Sequence, residues 1–524
     1  MLGSALEDFC NGIINRVERH HLLLVPTLVL IAFYLGRKYS TSVAHLDSKS
    51  NLVGQQPGWF PHIWAKYRYV FNGYRLVYDA FNEQTEGKKI LRIPIFGQKL
   101  YMLPAKYVDE LKSLPEATLS SSYAVSDYFL GSYTTLDHSM FGDSTWRVVR
   151  DFLTRRLSML VAPLSEECII SFEEEFPICE DWTLVDIHSH LLKIIGRMTS
   201  RVFVGNQLSS DPSYRQTCID YATCVFQASG LLKAFPAMLR PTLCLFNPHI
   251  WRIRFHYLNA KRHLLSEIAQ RRQSAVKQEN MLDWLIANSG SEDPLGIVKR
   301  QLGLSFAAIH TTTNHLTNVL LDLAARWDQY APELIEEITQ ALSEDEAVLK
   351  KSTLSKLSKL DSFMKESQRL NPPSALSFNR KLMRPLILSD GTYLPESSYI
   401  AAPSGPLGQS DDHFLRSSDF DGFRFHRKRQ KATGLEKSAT YFTSTGIHSM
   451  VFGHGRFACP GRFFASLESK TVLVYILLNY RLSLPGDGSR SPNLTFMDAL
   501  FPDPKQKVMF RRCKPYSIPS GGKP

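Results

Sequence analysis

The sequence predicts a mainly α-helical protein with a small β-sheet region, an α+β arrangement forming one large domain behind an amino-terminal membrane anchor. Three observations predict it. Stretches with helical apolar spacing fill the middle of the chain, short strand-like pieces occur only toward its two ends, and one uncharged apolar run precedes a polar linker. Of the 524 residues, 44% are hydrophobic and 21% charged, the balance of a chain that can bury a core.

Residues 1–21 form a short amino-terminal segment, and residues 22–36, LLLVPTLVLIAFYLG, read as a transmembrane anchor. The run is below the short limit of about 17 residues for a spanning helix, so His20 and His21 are expected to extend it into the headgroup layer. A thin endoplasmic reticulum bilayer eases the mismatch. A cleaved signal peptide fits less well, because Arg16, Glu18 and Arg19 lie in a long polar preamble and RKYSTS after the run is a poor cleavage site. Both flanks of the run are basic and orient it poorly; Arg37 and Lys38 are consistent with a cytosolic body. Residues 37–61, ending in GQQPGWFP, read as a linker with a stiff hinge.

Residues 62–524 are the large domain. Strands are expected near residues 90–96, 99–103, 386–388 and 399–402. Residues 185–204 are amphipathic with Asp186 as the N-cap, and residues 280–326 read as one long run with few breakers. Helices follow at 332–349, at 355–370 before Pro372 and Pro373, and at 462–480.

The net charge of +11 invites a nucleic-acid reading, but no zinc-finger spacing and no aromatic RNA-binding signature accompanies it. The densest basic run, RFHRKRQK at residues 424–431, reads as a solvated loop. The eight cysteines (Cys10, Cys168, Cys179, Cys218, Cys224, Cys244, Cys459 and Cys513) include no CxxC pair, which speaks against a disulfide framework or a structural zinc site and for a reducing compartment. His188 and His190, two apart on a helix, point to different sides and read as structural. Asn493-Leu-Thr495 is a glycosylation sequon that a cytosolic body keeps from the glycosylating enzyme.

Residues 452–462 read FGHGRFACPGR, between a strand-like SMVF and an apolar helix. Cys459 thus sits at a loop-to-helix junction, where backbone N–H groups favour a thiolate. Residues 453–458 also match the GxGxxA form of a dinucleotide fingerprint. Pro460 and Gly461 fall where that motif's helix should already run, and no strand with a terminal acid follows. A third reading is a buried cysteine in a tight glycine turn. Elsewhere, Glu366 and Arg369 share a helical face three residues apart, and Trp146 and Arg150 lie four apart. The long helix carries a polar stripe of His310, Asn314 and Asn318, with Thr311 and His315 beside it, in an otherwise greasy segment.

Phe452, Gly455, Cys459 and Gly461 in this spacing resemble the cysteine-ligand loop of the cytochrome P-450 superfamily. Three further motifs stand in that family's order: Trp146 with Arg150, residues 307–312, and Glu366 with Arg369 ahead of Arg424. The resemblance implies haem b with Cys459 as the metal ligand, and cofactor contacts from Trp146, Arg150, Phe452, Gly455, Gly461 and Arg380. It implies a structural triad of Glu366, Arg369 and Arg424. It implies that Thr311, with Thr312, steadies protonation of bound dioxygen, and His310 stands where the family has an acid. Phe457 replaces a basic residue that meets a haem propionate. The implied activity is insertion of one atom of O2 into an apolar small molecule, with electrons from an NADPH-dependent flavoprotein reductase docking on the basic cysteine side. AAIHTTT with FGHGRFACPGRFFA is similar to fungal membrane-bound members that oxidise terpenoids. Alternatives are a haem-thiolate isomerase or peroxide-rearranging enzyme, and a non-catalytic haem-binding protein. By position, the substrate wall is expected from residues 123–133, Phe306, residues 374–378 and Phe496.

Overall fold

The computed structural model describes residues 52–55, 60–83, 89–274, 276–290 and 293–513. The expected anchor and most of the expected linker lie outside the described residues. Among the described residues no helix is long and apolar enough to cross a membrane.

The longer helices, in chain order, are α1 (Pro61–Glu83), α2 (Ser121–Tyr128), α3 (Leu157–Glu175), α4 (Ile187–Val204), α5 (Pro212–Lys233), α6 (Pro248–Gln273), α7 (Pro294–Ala324), α8 (Trp327–Glu344), α9 (Ser358–Leu370), α10 (Arg424–Lys431) and α11 (Arg462–Asn479). Helices α3, α4, α7 and α11 pack on one another as the central bundle, with α5 and α6 closing it on the α4 and α7 side. Most of the buried apolar side chains belong to this one core.

The strands are β1 (Leu91–Ile93), β2 (Leu100–Met102), β3 (Leu119–Ser120), β4 (Thr183–Val185), β5 (Ser377–Leu382), β6 (Leu386–Ile387), β7 (Tyr393–Leu394), β8 (Tyr399–Ala402), β9 (Tyr480–Ser483), β10 (Leu494–Phe496), β11 (Ala499–Phe501) and β12 (Val508–Arg512). The largest sheet has the order β1-β2-β8-β5-β3, so its first strands and its middle strands come from opposite ends of the chain. Only the β2–β8 pair is parallel, as a long crossover requires.

Asp186 caps α4 as expected, its carboxylate accepting from the Ser189 amide. The run at 280–326 is broken in two: Met281–Ala287 is a separate short helix, and α7 starts afresh at Pro294. Pro294 has no N–H to give and fits only a first turn, and Asp293 caps it by accepting from the Leu295 amide at 3.1 Å. The helix expected at 355–370 likewise splits, α9 following a short Lys351–Lys356 turn. The basic run 424–431 is not a solvated loop but helix α10. Its Arg424 and Arg429 are tethered to Glu366 and Asp361, while the other cations face outward.

Candidate active site

The loop before α11 is closed by its own backbone. The Cys459 amide donates to the Phe452 carbonyl at 2.7 Å and the Ala458 amide to Gly455 O at 3.1 Å. Gly455 has φ +74, and a Cβ there would stand 2.4 Å from Lys112 Cβ. The loop therefore seats directly on the Lys112 backbone, whose carbonyl accepts from the Arg456 amide. Gly461 has ordinary φ and is the N-cap of α11. The Gly461 and Arg462 amides point at the Cys459 sulfur, and the Arg462 guanidinium lies near it. Burial pushes the thiol pKa up, and those donors and that cation oppose the rise. Cys459 is only partly buried as a residue, whereas Cys168, Cys179, Cys218 and Cys224 are buried. The partial exposure of Cys459 leaves room beside the cysteine loop, the candidate cofactor space.

Helix α7 shows the same signature. It is buried along most of its 31 residues, but Ala307 and Thr311, one turn apart, are exposed in its middle. The Thr311 hydroxyl donates to the Ala307 carbonyl at 2.7 Å, leaving its lone pairs for a guest in that space. Thr312 faces the other way, buried toward Glu468 of α11.

The polar stripe that the sequence placed beside oxygen is used differently. His310 Nε2 lies 3.2 Å from the Ile219 carbonyl and 3.4 Å from Thr223 Oγ1, both on α5. Asn314 meets His188 Nε2 at 3.0 Å, and Asn318 accepts from Arg490. These side chains satisfy one another between packed elements, and the open face of α7 is the Ala307–Thr311 face. Burial lowers the His310 pKa to about 4, so the ring is neutral in ordinary conditions. His190 bonds the Glu175 carbonyl instead, so His188 and His190 go to separate partners.

Around the space, β5 carries a bulge between Ser377 and Arg380, where Phe378 takes φ +58. A bulge re-aims the side chains that follow it. Here Arg380 is buried with its guanidinium 4.6 Å from the Phe378 ring centroid and 5.4 Å from that of Phe457. It donates to the Asn379 carbonyl at 2.7 Å and reaches Phe457 O at 3.4 Å, with no carboxylate in ion-pair contact among the described residues. Burial lowers its pKa to about 10. Trp146 packs edge-on against Phe457 at 6.2 Å and gives its indole N–H to the Phe141 carbonyl. Arg150 is not brought to this space: it is exposed and pairs with Asp151 at 3.0 Å. It stands on a π-helical turn after Trp146.

The triad forms. Glu366, fully buried, accepts from Arg369 Nε at 2.9 Å and Nη2 at 2.7 Å, and from Arg424 Nε at 3.1 Å. The spare guanidinium donors take the Gly408, Ser417 and Leu415 carbonyls, fixing the segment that leads to the cysteine loop.

An aromatic cluster stands beside α7 near the exposed Ala307. Phe129, Phe226 and Phe306 pack with ring centroids 5.0–5.3 Å apart. Phe306 was expected there, and Phe129 lies in the expected stretch 123–133. Tyr123 stacks on His138 at 4.1 Å instead. Phe226 was missed, because a phenylalanine in an apolar helix looks like any core residue. Lys233 and Asp498 were also missed. The signal that could have found Lys233 is one charge inside the apolar run at its helix end.

The residues fit the group the resemblance implies. A flat macrocycle with a metal at its centre and carboxylates on its edge matches a donor-surrounded thiol on one side. It matches a small-residue helix face on the other, and a buried arginine without an acid at the rim. The chain is similar to known proteins over nearly its whole length. A family model described as Cytochrome P-450 matches residues 95–510. Cytochrome P-450 monooxygenase AN1598 of Emericella nidulans is 34% identical over 95% of this chain and 94% of the relative. An ent-kaurene oxidase of Gibberella intermedia is 30% identical over 98% of each. Among solved structures, a retinoic acid-bound cyanobacterial CYP120A1 superposes with a TM-score of 0.66 at 17% identity, covering 88% of this chain and 99% of that one. The chain belongs to the cytochrome P-450 family, oxidoreductases of the monooxygenase type that hold haem b through a cysteine thiolate.

Proposed function

We propose that this chain inserts one atom of O2 into an apolar terpenoid or related secondary metabolite, using electrons from an NADPH-dependent flavoprotein reductase. The observation that carries the reading is a partly exposed Cys459 ringed by the Gly461 and Arg462 amides, in a chain whose otherwise buried helix α7 leaves Ala307 and Thr311 open. The terpenoid assignment is supported by the similarity to an ent-kaurene oxidase and by the aromatic wall. Exposure of Thr311 favours oxygen activation over isomerisation, since a rearrangement needs no hydroxyl at that place.

When bound, the haem supplies the redox chemistry that reduces O2 with two electrons and two protons, giving one hydroxylated product and one water. Cys459 would hold the haem iron through its sulfur, and the Gly461 and Arg462 amides stabilise the charge on that sulfur. Arg380 would neutralise a haem propionate, the task for which Phe457 has no charge, and Trp146 packs against the same Phe457. Phe452 and Gly455 hold the loop in its turn, and Gly461 starts the helix whose amides face the sulfur. Thr311 orients a proton donor at its hydroxyl oxygen, and Thr312 braces the helix toward Glu468. The Glu366 triad does no chemistry and fixes the cysteine loop.

The reductase docks on the cysteine side, where Arg147, Arg150, Arg155 and Arg456 are exposed and suit an acidic partner. Residues 22–36 anchor the chain once through the endoplasmic reticulum membrane, with the catalytic domain in the cytosol. The deciding experiment is a carbon monoxide difference spectrum of the reduced holoprotein. A red-shifted thiolate band that Cys459→Ala abolishes is expected, and its absence from the unaltered chain would overturn the reading.

A further inference from the structure

Lys233 ends α5 inside the protein, 8% exposed, where burial holds its pKa near 7. Its ammonium stands 3.3 Å from the Tyr128 ring centroid and 5.7 Å from that of Phe129. Among the described residues it has no hydrogen bond and no ion pair, and a buried cation held only by ring faces is costly. The Tyr128 hydroxyl also has no partner among the described residues. Opposite them is Asp498, 3% exposed, in the turn between β10 and β11. It accepts from Tyr69 at 3.1 Å and Ser374 at 2.6 Å, and its charge acts on Lys233 without touching it. Tyr128 and Asp498 line one small cavity, which also touches Arg380.

This polar pole joins the active-site space through rings. Tyr128 packs on Phe129 at 5.0 Å, and Phe129 on Phe306 at 5.0 Å, the residue before the exposed Ala307. One turn before Lys233, Gly230 lies against Phe496. An apolar wall thus runs from the oxidising centre to a cation and an anion that do not meet. A hydrocarbon reaching that end would leave the Lys233 ammonium without a hydrogen-bond partner. A carboxylate would pair with Lys233 but would also bring a second negative charge against Asp498, which already balances that cation's field. A hydroxyl satisfies both, accepting from Lys233 and donating to Asp498.

We propose that Lys233, Tyr128 and Asp498 form a recognition site for a neutral hydroxyl on an otherwise apolar substrate, at the end remote from the carbon oxidised. This rests on the monooxygenase reading above. It implies that the substrate arrives already oxygenated, from a prior hydroxylation or a cyclisation ended by water capture.

The test is optical titration of the ferric holoprotein, following the Soret shift on ligand entry. The probes are a tricyclic diterpene hydrocarbon (abietadiene), its primary alcohol (abietadienol) and its acid (abietic acid). The alcohol should bind about 30-fold or more tightly than the hydrocarbon, since sites built for a hydroxyl discriminate strongly against its absence. Lys233→Met should weaken alcohol binding about tenfold without weakening the hydrocarbon, and Lys233→Gln, which keeps a donor, should restore part of the preference. Equal affinity for hydrocarbon and alcohol, tightest binding of the acid, or no shift with any probe would overturn the proposal. The carbon monoxide band separates the two failures: present without the preference, it sinks this inference alone; missing from the unaltered chain, it sinks both.

Discussion

Arg424 Nε lies 3.1 Å from Glu366 Oε1, the same oxygen that accepts Arg369 Nη2 at 2.7 Å. Arg424 also binds the Leu415 and Asp419 carbonyls, so one guanidinium ties helix α9 to the stretch ahead of the cysteine loop. Arg424→Met removes one of the two cations from a fully buried carboxylate. Breaking such a pair costs about 3–5 kcal/mol, because a charge is left unmatched. The expected result is a lower midpoint of unfolding and loss of most bound haem, read as the Soret absorbance per chain. Normal haem content in Arg424→Met would show that the triad does not hold the loop.

Arg380 and Arg150 should separate cleanly. Arg380 is buried with no acid in contact, whereas Arg150 is mostly exposed and paired with Asp151. Exposed pairs contribute about 0–1 kcal/mol, so Arg150→Ala should leave haem retention nearly unchanged. Arg380→Leu should speed haem transfer to apomyoglobin about tenfold or more, as a charge-assisted contact is lost. Equal rates for the two variants would remove Arg380 from the proposed cofactor contacts.

Much of this was legible in the sequence because it depends on local spacing. The Asp186 cap, the β8 bounds at 399–402 and the start of α11 at Arg462 follow from short-range patterns. The triad was legible too, since three residues fix one helical face and the third member precedes a recognisable loop. What was not legible depends on which way a side chain turns in a packed bundle. His310 and Thr311 are adjacent letters, but about 100° of helical rotation sends one to α5 and the other to the open space. Arg150 lies on a π-helical turn and pairs with Asp151, an arrangement that no spacing rule registers. The Lys233 pole joins α2, α5 and the β10–β11 turn, and only the fold brings these together.

His310 faces α5 and carries a pKa of about 4, depressed mainly by burial. Its folded pKa lies below the usual value, so its contribution to stability is present above about pH 6.5 and is lost as pH falls toward 4. It does not titrate between about pH 6 and 8, and the product-formation profile over that range should be the same in His310→Gln. Thr311→Ala should instead divert electrons, raising hydrogen peroxide per NADPH consumed while the carbon monoxide band stays. A pH profile flattened or shifted by His310→Gln would return the imidazole to the proton path.

Glu468 of α11 is completely buried, accepting from Thr199 Oγ1 at 2.9 Å while its second carboxylate oxygen has no partner among the described residues. Burial raises its pKa to about 8, against which the Thr199 and Thr312 hydroxyls work only in part. The folded chain therefore keeps this proton where the unfolded chain, at about 4.5, has released it. The sign follows from linkage: stability is full below about pH 4.5, falls as pH rises through the window, and stops falling above about 8. Each unit of displacement is worth about 1.4 kcal/mol. Glu468→Gln has no proton to release, and its amide oxygen still accepts from Thr199. Denaturant unfolding of the holoprotein at several pH values should show the variant gaining on the parent as pH rises from about 5 to 8, with a constant difference beyond. Parallel curves would mean that Glu468 is ionised in the folded chain, and its spare oxygen would then need a donor from α3 or α4 instead of a proton of its own.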